Sequence, residues 1–321
     1  IFFTLRSMCK YSDRLIGKVV IITGANTGIG FEIAKDMAER GARVILACRN
    51  ETRAMEAVNE IRNQTHNENI HFLHLDLASL SSVKEFVDKF MNKEERLDIL
   101  INNAGVITGS DEKTEDGFSM MIQSNYLGHF LLTVLLLPLL KSSAPSRVIN
   151  FSSVSHKFVN IHPDDLFTVP IRKPYTNSIW YFKTKLCMVL MTKELARRLK
   201  HTGVTVNCLH PGVVKTNIIN NIDIKCVKTI INAALSCFKT PRDGAETAIY
   251  LAVSPEVEKH SGGYYVDCKL ANTSRRAQNP DLARQLWEVS ERLVGIEYTN
   301  NNRPLSLSST AFLPSFYLFI P

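Results

Sequence analysis

The chain has 321 residues, 45% hydrophobic and 21% charged, a balance that excludes a disordered or fibrous protein and leaves ample material for a large core. The formal charge is +7, from 38 Lys plus Arg against 31 Asp plus Glu, which favours anionic partners such as phosphates. The nearest approach to a basic run, residues 193–200, has the spacing of a solvated helix face, so nucleic acid is not an expected partner.

Seven cysteines, Cys9, Cys48, Cys187, Cys208, Cys226, Cys237 and Cys268, form no CxxC pair. Neither a zinc site nor a disulfide framework is expected, and reduced thiols point to the cytosolic side of a membrane or an organelle matrix. The opening Ile-Phe-Phe-Thr-Leu reads as the end of a longer apolar anchor, with residues 1–16 outside the fold.

In chain order, residues 18–23 are a β-branched run ending in Gly24-Ala-Asn-Thr-Gly28-Ile-Gly30, and Ile29, Ile33 and Met37 then recur at helical spacing until Gly41. This predicts a strand, a glycine turn and a helix. Residues 44–47 follow as a second strand, 51–65 as a polar helix, 70–75 as a third strand, 80–93 as a helix and 99–102 as a fourth strand. A long helix is expected over 118–140. Its apolar core, 130–140, is too short to span a bilayer and contains Pro138, so it reads as a buried helix. A strand at 147–151, a helix at 179–202, strands at 204–209 and 264–266, and a helix at 280–294 complete the pattern.

Such alternation implies one doubly wound α/β domain, a parallel sheet of about seven strands with helices on both faces. The segments 154–178 and 213–240 are long connections after strand ends, where open α/β sheets bind ligands, and are expected to shape a substrate pocket. Residues 297–321 read as a tail outside the fold, with a surface-anchoring role left open.

Gly24, Gly28 and Gly30 between a strand and a helix let the backbone turn tightly and approach a pyrophosphate at a helix N-terminus. By itself the same pattern is also a tight turn with no ligand. Where many NAD sites place an acid after the second strand, this chain has Cys48 and Arg49. A guanidinium there favours a 2′-phosphate, so NADP(H) is expected over NAD(H), although Arg49 also reads as a solvated loop residue. Asp76 is placed to accept from the adenine amino group or to cap the helix near Leu80. In Asn102-Asn103-Ala104-Gly105, small residues allow backbone contact with a cofactor and the amides can tie strands together.

These segments, with Ser152-Ser153, Tyr181 followed by Lys185, and Pro211-Gly212, occur in the order of the short-chain dehydrogenase/reductase superfamily, which the chain resembles over about residues 17–296. Leu46-Ala-Cys-Arg49, Thr114-Glu-Asp-Gly-Phe118, Leu127-Gly-His-Phe-Leu-Leu132, Ser143-Ala-Pro-Ser-Arg147 and Leu286-Trp-Glu288 are similar to the retinol dehydrogenase branch that includes the microsomal and mitochondrial retinal reductases.

The resemblance implies an NADP(H)-dependent oxidoreductase in which Gly24, Asn26, Thr27, Gly28, Ile29, Gly30, Arg49, Asp76, Leu77, Asn103, Ala104 and Gly105 bind the cofactor. In the same implication, Tyr181 and Lys185 also contact it, and Pro211, Gly212, Val213 and Thr216 line the nicotinamide, with Val213 and Thr216 touching its amide. Tyr181 is then the acid/base, Ser153 holds the substrate oxygen, and Asn125 holds the water that relays protons through Lys185. Tyr181 and Lys185 are one helical turn apart, so the ammonium is expected to lower the phenol and favour the phenolate. No metal is required.

Thr184 and Trp180 depart from the family's usual Ser and small residue, and the indole is expected to narrow or reshape the pocket. His129 and His156 are read as packing or loop residues. The implied substrate is a small lipophilic carbonyl or alcohol, foremost retinal or retinol. Steroid, lipid-derived or xenobiotic carbonyls are the enzymatic alternative, and a non-catalytic NADP(H)-binding sensor or scaffold is the third reading, one that the presence of Tyr181 and Lys185 disfavours. A membrane surface and a homodimer remain open as partners. The implied location is the endoplasmic reticulum or mitochondrial membrane, otherwise the cytoplasm.

Overall fold

All five residues of Val19–Thr23 are β-branched and all five are buried, so this segment forms a central strand, β1. The computed structural model describes residues 14–108, 112–163, 176–214 and 239–296. After β1 come α1 (Gly28–Glu39), β2 (Arg43–Cys48), α2 (Glu51–Thr65), β3 (Ile70–His74), α3 (Leu80–Met91) and β4 (Ile99–Asn102). A short helical turn and a π-turn lead into α4 (Gly128–Ser142), followed by β5 (Ser146–Phe151), α5 (Thr176–Arg198) and β6 (Val204–His210). The chain then forms α6 (Pro241–Val253), β7 (Tyr264–Val266), β8 (Lys269–Leu270) and α7 (Pro280–Leu293).

One sheet runs in the order β3-β2-β1-β4-β5-β6-β7-β8, parallel except for the antiparallel β7–β8 pair. This is the doubly wound α/β architecture the alternation implied. It has eight strands rather than about seven, because the two-residue β8 turns back along the edge after Asp267 and Cys268, both at positive φ. Since β1 lies between β2 and β4, successive connections leave in opposite directions there, and a crevice opens at the carboxyl ends of β1 and β4.

Strand side chains alternate between two cores, as the period of two requires. Val20, Ile22, Val44, Leu46 and Ile101 face the layer of α1, α2 and α6, where Ile33, Met37, Val58, Ile61 and Ile249 pack. Val19, Ile21, Ile45 and Leu100 face α3, α4, α5 and α7, with Phe86, Phe90, Leu131, Leu190 and Trp287.

Helix α6 is an element the periodicity did not reveal. Its start carries a capping box, Thr240 with Asp243, and Pro241 in the first turn, but Gly244 and the alanines that pack it against α1 dilute any apolar stripe. The helix expected over 118–140 is divided into an α-turn Met120–Ile122, a π-turn Gln123–Leu127 and α4. Helix α5 begins and ends earlier than the expected 179–202.

The composite helix Met120–Ser142 is long and apolar enough to cross a membrane, with a hydropathy of 1.4, yet 83% of that window is buried inside the protein. It is covered by α7 and its neighbours. The Phe130 and Trp287 rings meet edge to face at 4.8 Å, and the Tyr126 hydroxyl lies 2.7 Å from Ser290 Oγ. The buried-helix reading of this run therefore holds.

Candidate active site

The glycine turn is built first, by the chain itself. Gly24 and Gly28 take φ of +65° and +60°, where a side chain would be strained. At Gly30 the requirement is space: a Cβ would stand 2.5 Å from Gly24 O and 2.6 Å from Asn103 Nδ2. Helix α1 therefore seats directly on the turn. Its N-cap, Thr27, makes no side-chain cap hydrogen bond and its first turn holds no acid. By contrast α2, α3, α6 and α7 are capped by Asn50, Ser79, Thr240 and Asn279. The first amides of α1 thus carry the partial positive charge that suits a pyrophosphate. Asn26 and Thr27 lie on the turn's accessible side, and Ile29 packs toward Gly244 of α6.

At the end of β2, Cys48 is buried under the turn. Burial pushes its thiol up to about 11, against the opposing effect of the Ala25, Asn26 and Gly24 backbone, so no negative charge stands there. Arg49 is 66% exposed, with Nη1 3.8 Å from Asp76 Oδ2. The alternative role of Asp76 as a cap is corrected: Ser79 accepts from Ser82 N as the N-cap of α3, and Asp76 Oδ1 instead accepts from Ala78 N at 2.9 Å. Leu77 is buried, with its carbonyl pressed against Gly128.

After β4, the two asparagines divide their work. Asn102 Nδ2 donates to Thr133 Oγ1 at 2.9 Å and to Asn150 Oδ1 at 2.8 Å, tying β4 to α4 and β5. Asn103 donates from Nδ2 to Thr23 O at 2.8 Å, and the Asn103 and Ala104 amides both donate to Thr23 Oγ1, at 2.9 and 3.0 Å. At Gly105, a position built for a Cβ lies 3.6 Å from Asn125 Oδ1 and 3.7 Å from Lys185 Nζ. The end of β4 therefore joins the nucleotide turn to the reacting groups.

Asn125 sits in the π-turn and is buried. Its Oδ1 accepts from Val106 N at 2.7 Å, and its Nδ2 donates to Val106 O at 2.9 Å and to Thr184 Oγ1 at 3.5 Å. Helix α5 is stapled to the end of β5: Ser152 Oγ donates to Lys185 O at 2.8 Å, and Lys185 Nζ donates to Phe151 O at 3.2 Å. Tyr181, one turn earlier on the same face, holds its ring centroid 5.3 Å from that ammonium. Ser153 caps the short 3-10 helix Val154–Phe158, its Oγ accepting from Ser155 N at 3.2 Å, while its carbonyl accepts from His156 Nδ1 at 2.6 Å.

The electrostatics differ from the sequence expectation in one respect. Burial pushes the Tyr181 phenol up to about 12 and pulls Lys185 down to about 8, with no lowering of the phenol by the ammonium. The physical reason is that loss of hydration disfavours both charged forms, while the ammonium is turned to Phe151 O. The phenol is therefore protonated at neutral pH, the form that donates.

Pro211 and Gly212 follow β6, with the Lys239 side chain packed over Gly212 and Val213 exposed. Thr216 lies outside the described residues. Trp180 is buried in the core, with Lys183 Nζ 4.4 Å from its ring centroid. Sequence reasoning missed the roles of Thr23 and of Thr184, whose Oγ1 donates to Tyr181 O at 2.7 Å and meets Asn125. No periodicity marks a hydroxyl whose partners lie on other elements. A concavity of about 850 Å³ lined by Lys193, Lys200, His201 and Gly203 lies at the amino edge of β6, the opposite end of the sheet from Tyr181. It is separate from this site.

Comparison with known proteins agrees with the geometry. The family model for short chain dehydrogenases matches residues 18–162 and 169–226. Retinol dehydrogenase 14 of Homo sapiens is 46% identical over 295 residues, 87% of each chain, and retinol dehydrogenase 12 of Homo sapiens is 44% identical over 297 residues, 92% of each. Among solved structures, an uncharacterised protein from Mycobacterium paratuberculosis superposes with a TM-score of 0.70 at 31% identity, covering 88% of this chain and 95% of that one. The 3-ketoacyl-(acyl-carrier-protein) reductase of Brucella melitensis, complexed with NADH, gives a TM-score of 0.62 at 26% identity, covering 78% of this chain and 96% of its own. A glycine turn with open helix amides, a Tyr-Lys pair at the carboxyl edge and this likeness over most of the chain have one common meaning: the chain belongs to the short-chain dehydrogenase/reductase family, in its retinol dehydrogenase branch, and is an oxidoreductase that works with a nicotinamide cofactor.

Proposed function

We propose that the chain is an NADP(H)-dependent enzyme interconverting retinal and retinol, or a similarly lipophilic aldehyde and alcohol, through Tyr181. The observation that carries this reading is the pairing of a half-buried Tyr181 with a buried Lys185 that is stapled to the end of β5 and adjoins Gly105 and Asn125. Bound at this turn, NADPH would supply the hydride for the carbonyl carbon. The phenol of Tyr181 donates its proton to the substrate oxygen, and Ser153 holds that oxygen by hydrogen bonding. Lys185 returns a proton to the phenol after the transfer, along a path that Asn125 keeps in place. The uncapped amides of α1 receive the pyrophosphate, and Arg49 receives the 2′-phosphate.

A lipophilic substrate is supported by the names of the relatives and by the apolar residues left exposed near the carboxyl edge. Val154 and Phe158 follow β5, Ile179 stands two residues before Tyr181 on α5, and Val213 follows β6. The same apolar rim supports work at a membrane surface, of the endoplasmic reticulum or mitochondrion. Recovery of the intact protein from cell fractions tests that location, and exclusive recovery without membranes counts against it.

The central test is an assay of purified protein with NADPH and NADH against all-trans-retinal and a panel of steroid, lipid-derived and small aldehydes. Reduction of retinal with NADPH is the expected result, and preference for another aldehyde would transfer the substrate assignment to that class. An Arg49→Asp variant is expected to lose about tenfold in its preference for NADPH over NADH, the scale of one charge-assisted contact at an exposed side chain. An unchanged preference would remove Arg49 from the 2′-phosphate site.

The pH dependence follows from the two shifts. Lys185 is cationic below about 8 and neutral above, whereas Tyr181 keeps its proton up to about 12. For aldehyde reduction, kcat/KM is therefore expected to fall as pH rises through about 8, with the lysine as the source. In a Lys185→Arg variant the residual activity should no longer show that limb. Persistence of the limb would assign it to another group.

A further inference from the structure

His129 lies on the first turn of α4 with none of its side chain exposed, and both ring nitrogens have partners. Nδ1 stands 3.3 Å from the Asn125 carbonyl oxygen, and Nε2 stands 2.9 Å from Thr23 Oγ1. A carbonyl only accepts, so the ring hydrogen is assigned to Nδ1, and Nε2 of the neutral ring accepts from the Thr23 hydroxyl. On the other side, Thr23 Oγ1 receives the Asn103 and Ala104 amides, and its own hydrogen has two acceptors in reach, the Ile101 carbonyl at 3.4 Å and Nε2 at 2.9 Å, of which the imidazole is the nearer. Burial, with the nearby Lys185 charge, pulls the imidazole down to about 3, against the effect of the Asn125 carbonyl, so the ring stays neutral.

This buried chain crosses the molecule from one half of the site to the other. At one end are the amides of the β4 turn beside the glycine loop. At the other is the peptide of Asn125, whose side chain adjoins Gly105, Val106 and Thr184. We infer that His129 is a positioning residue, one imidazole setting the Asn125 peptide on the proton-handling side and, through Thr23, the Asn103–Ala104 amides on the nucleotide side. The inference rests on the proposed roles of Tyr181 and Lys185. A histidine that merely filled space would need neither polar contact, and the packing reading made from sequence is too weak for a ring held at both ends.

Two variants separate the ends. In His129→Asn the amide nitrogen falls near the place of Nδ1, so the donor to Asn125 is kept and the acceptor for Thr23 is lost. In His129→Phe the ring volume is kept and both contacts are lost. NADPH affinity is read by nicotinamide fluorescence, turnover with retinal by absorbance and stability by thermal melting. Both variants are expected to bind NADPH about tenfold more weakly, the scale of one buried hydrogen bond, while only the Phe variant also loses about tenfold in kcat.

Equal loss of kcat in both variants would overturn the link to Asn125, and unchanged binding and kcat with only a lowered melting temperature would reduce His129 to a core residue. Should the Phe variant not fold, the Asn variant decides alone, and an unaltered NADPH constant overturns the inference. A parent protein that binds NADPH and reduces no aldehyde counts against the proposed reaction instead, and the binding comparison still decides the role of His129.

Discussion

Replacing Tyr181 by Phe is expected to lower kcat for aldehyde reduction about a thousandfold, the scale of a positioned general acid, with NADPH affinity held to within about threefold. The substitution removes one oxygen and leaves the ring, its contact with Phe182 and the helix register intact. Thr184 continues to donate to the carbonyl of residue 181, because that bond uses the backbone. The loss should therefore fall on chemistry alone, visible as a collapse of turnover with an unaltered nucleotide titration. Wild-type turnover in the Phe variant would mean that another donor protonates the substrate, and the Tyr181–Lys185 pair would then be a structural contact. The protonated state of the phenol at neutral pH gives the prediction its direction, since a group that must donate is already loaded.

Gly30→Val is expected to weaken NADPH binding roughly a hundredfold and to lower the melting temperature, because inserting bulk into a filled site forces the backbone to move. The reason is local. A Cβ at this position would stand 2.5 Å from Gly24 O, a backbone atom that cannot swing aside, and 2.6 Å from Asn103 Nδ2. To admit it, α1 must lift from the turn. The uncapped amides at its start would then leave the place where a pyrophosphate meets them, and Asn103 would lose its bond to Thr23 O. Binding by nicotinamide fluorescence and thermal melting measure the two effects separately. A Val variant with parental affinity would show that the turn is a structural connection with no bound phosphate. Neither this outcome nor the Tyr181 outcome depends on which aldehyde the enzyme prefers.

Much of the fold was legible because each strand of a doubly covered sheet is apolar on both faces and the intervening helices carry periodic stripes. Val19–Thr23, Arg43–Cys48 and Ile99–Asn102 needed nothing beyond that pattern. Helix α6 escaped because it contacts its neighbours through Gly244, Ala245 and Ala248, and small residues leave a faint signal. The π-turn escaped because it is a change of hydrogen-bond register inside an apolar helix, and composition does not record register.

The candidate site divides along the same line. Motifs in local order, the glycine turn, Asn102 to Gly105 and the helical spacing of Tyr181 and Lys185, belong to the sequence, because each depends on residues within one or two turns of the chain. Tertiary structure alone decided that the phenol is raised rather than lowered, that Asp76 does not cap α3, and that His129 reaches Thr23, 106 residues away in sequence, at 2.9 Å. Those outcomes depend on burial and on partners from distant elements, and desolvation acts through everything packed around a group, not through its neighbours in the chain.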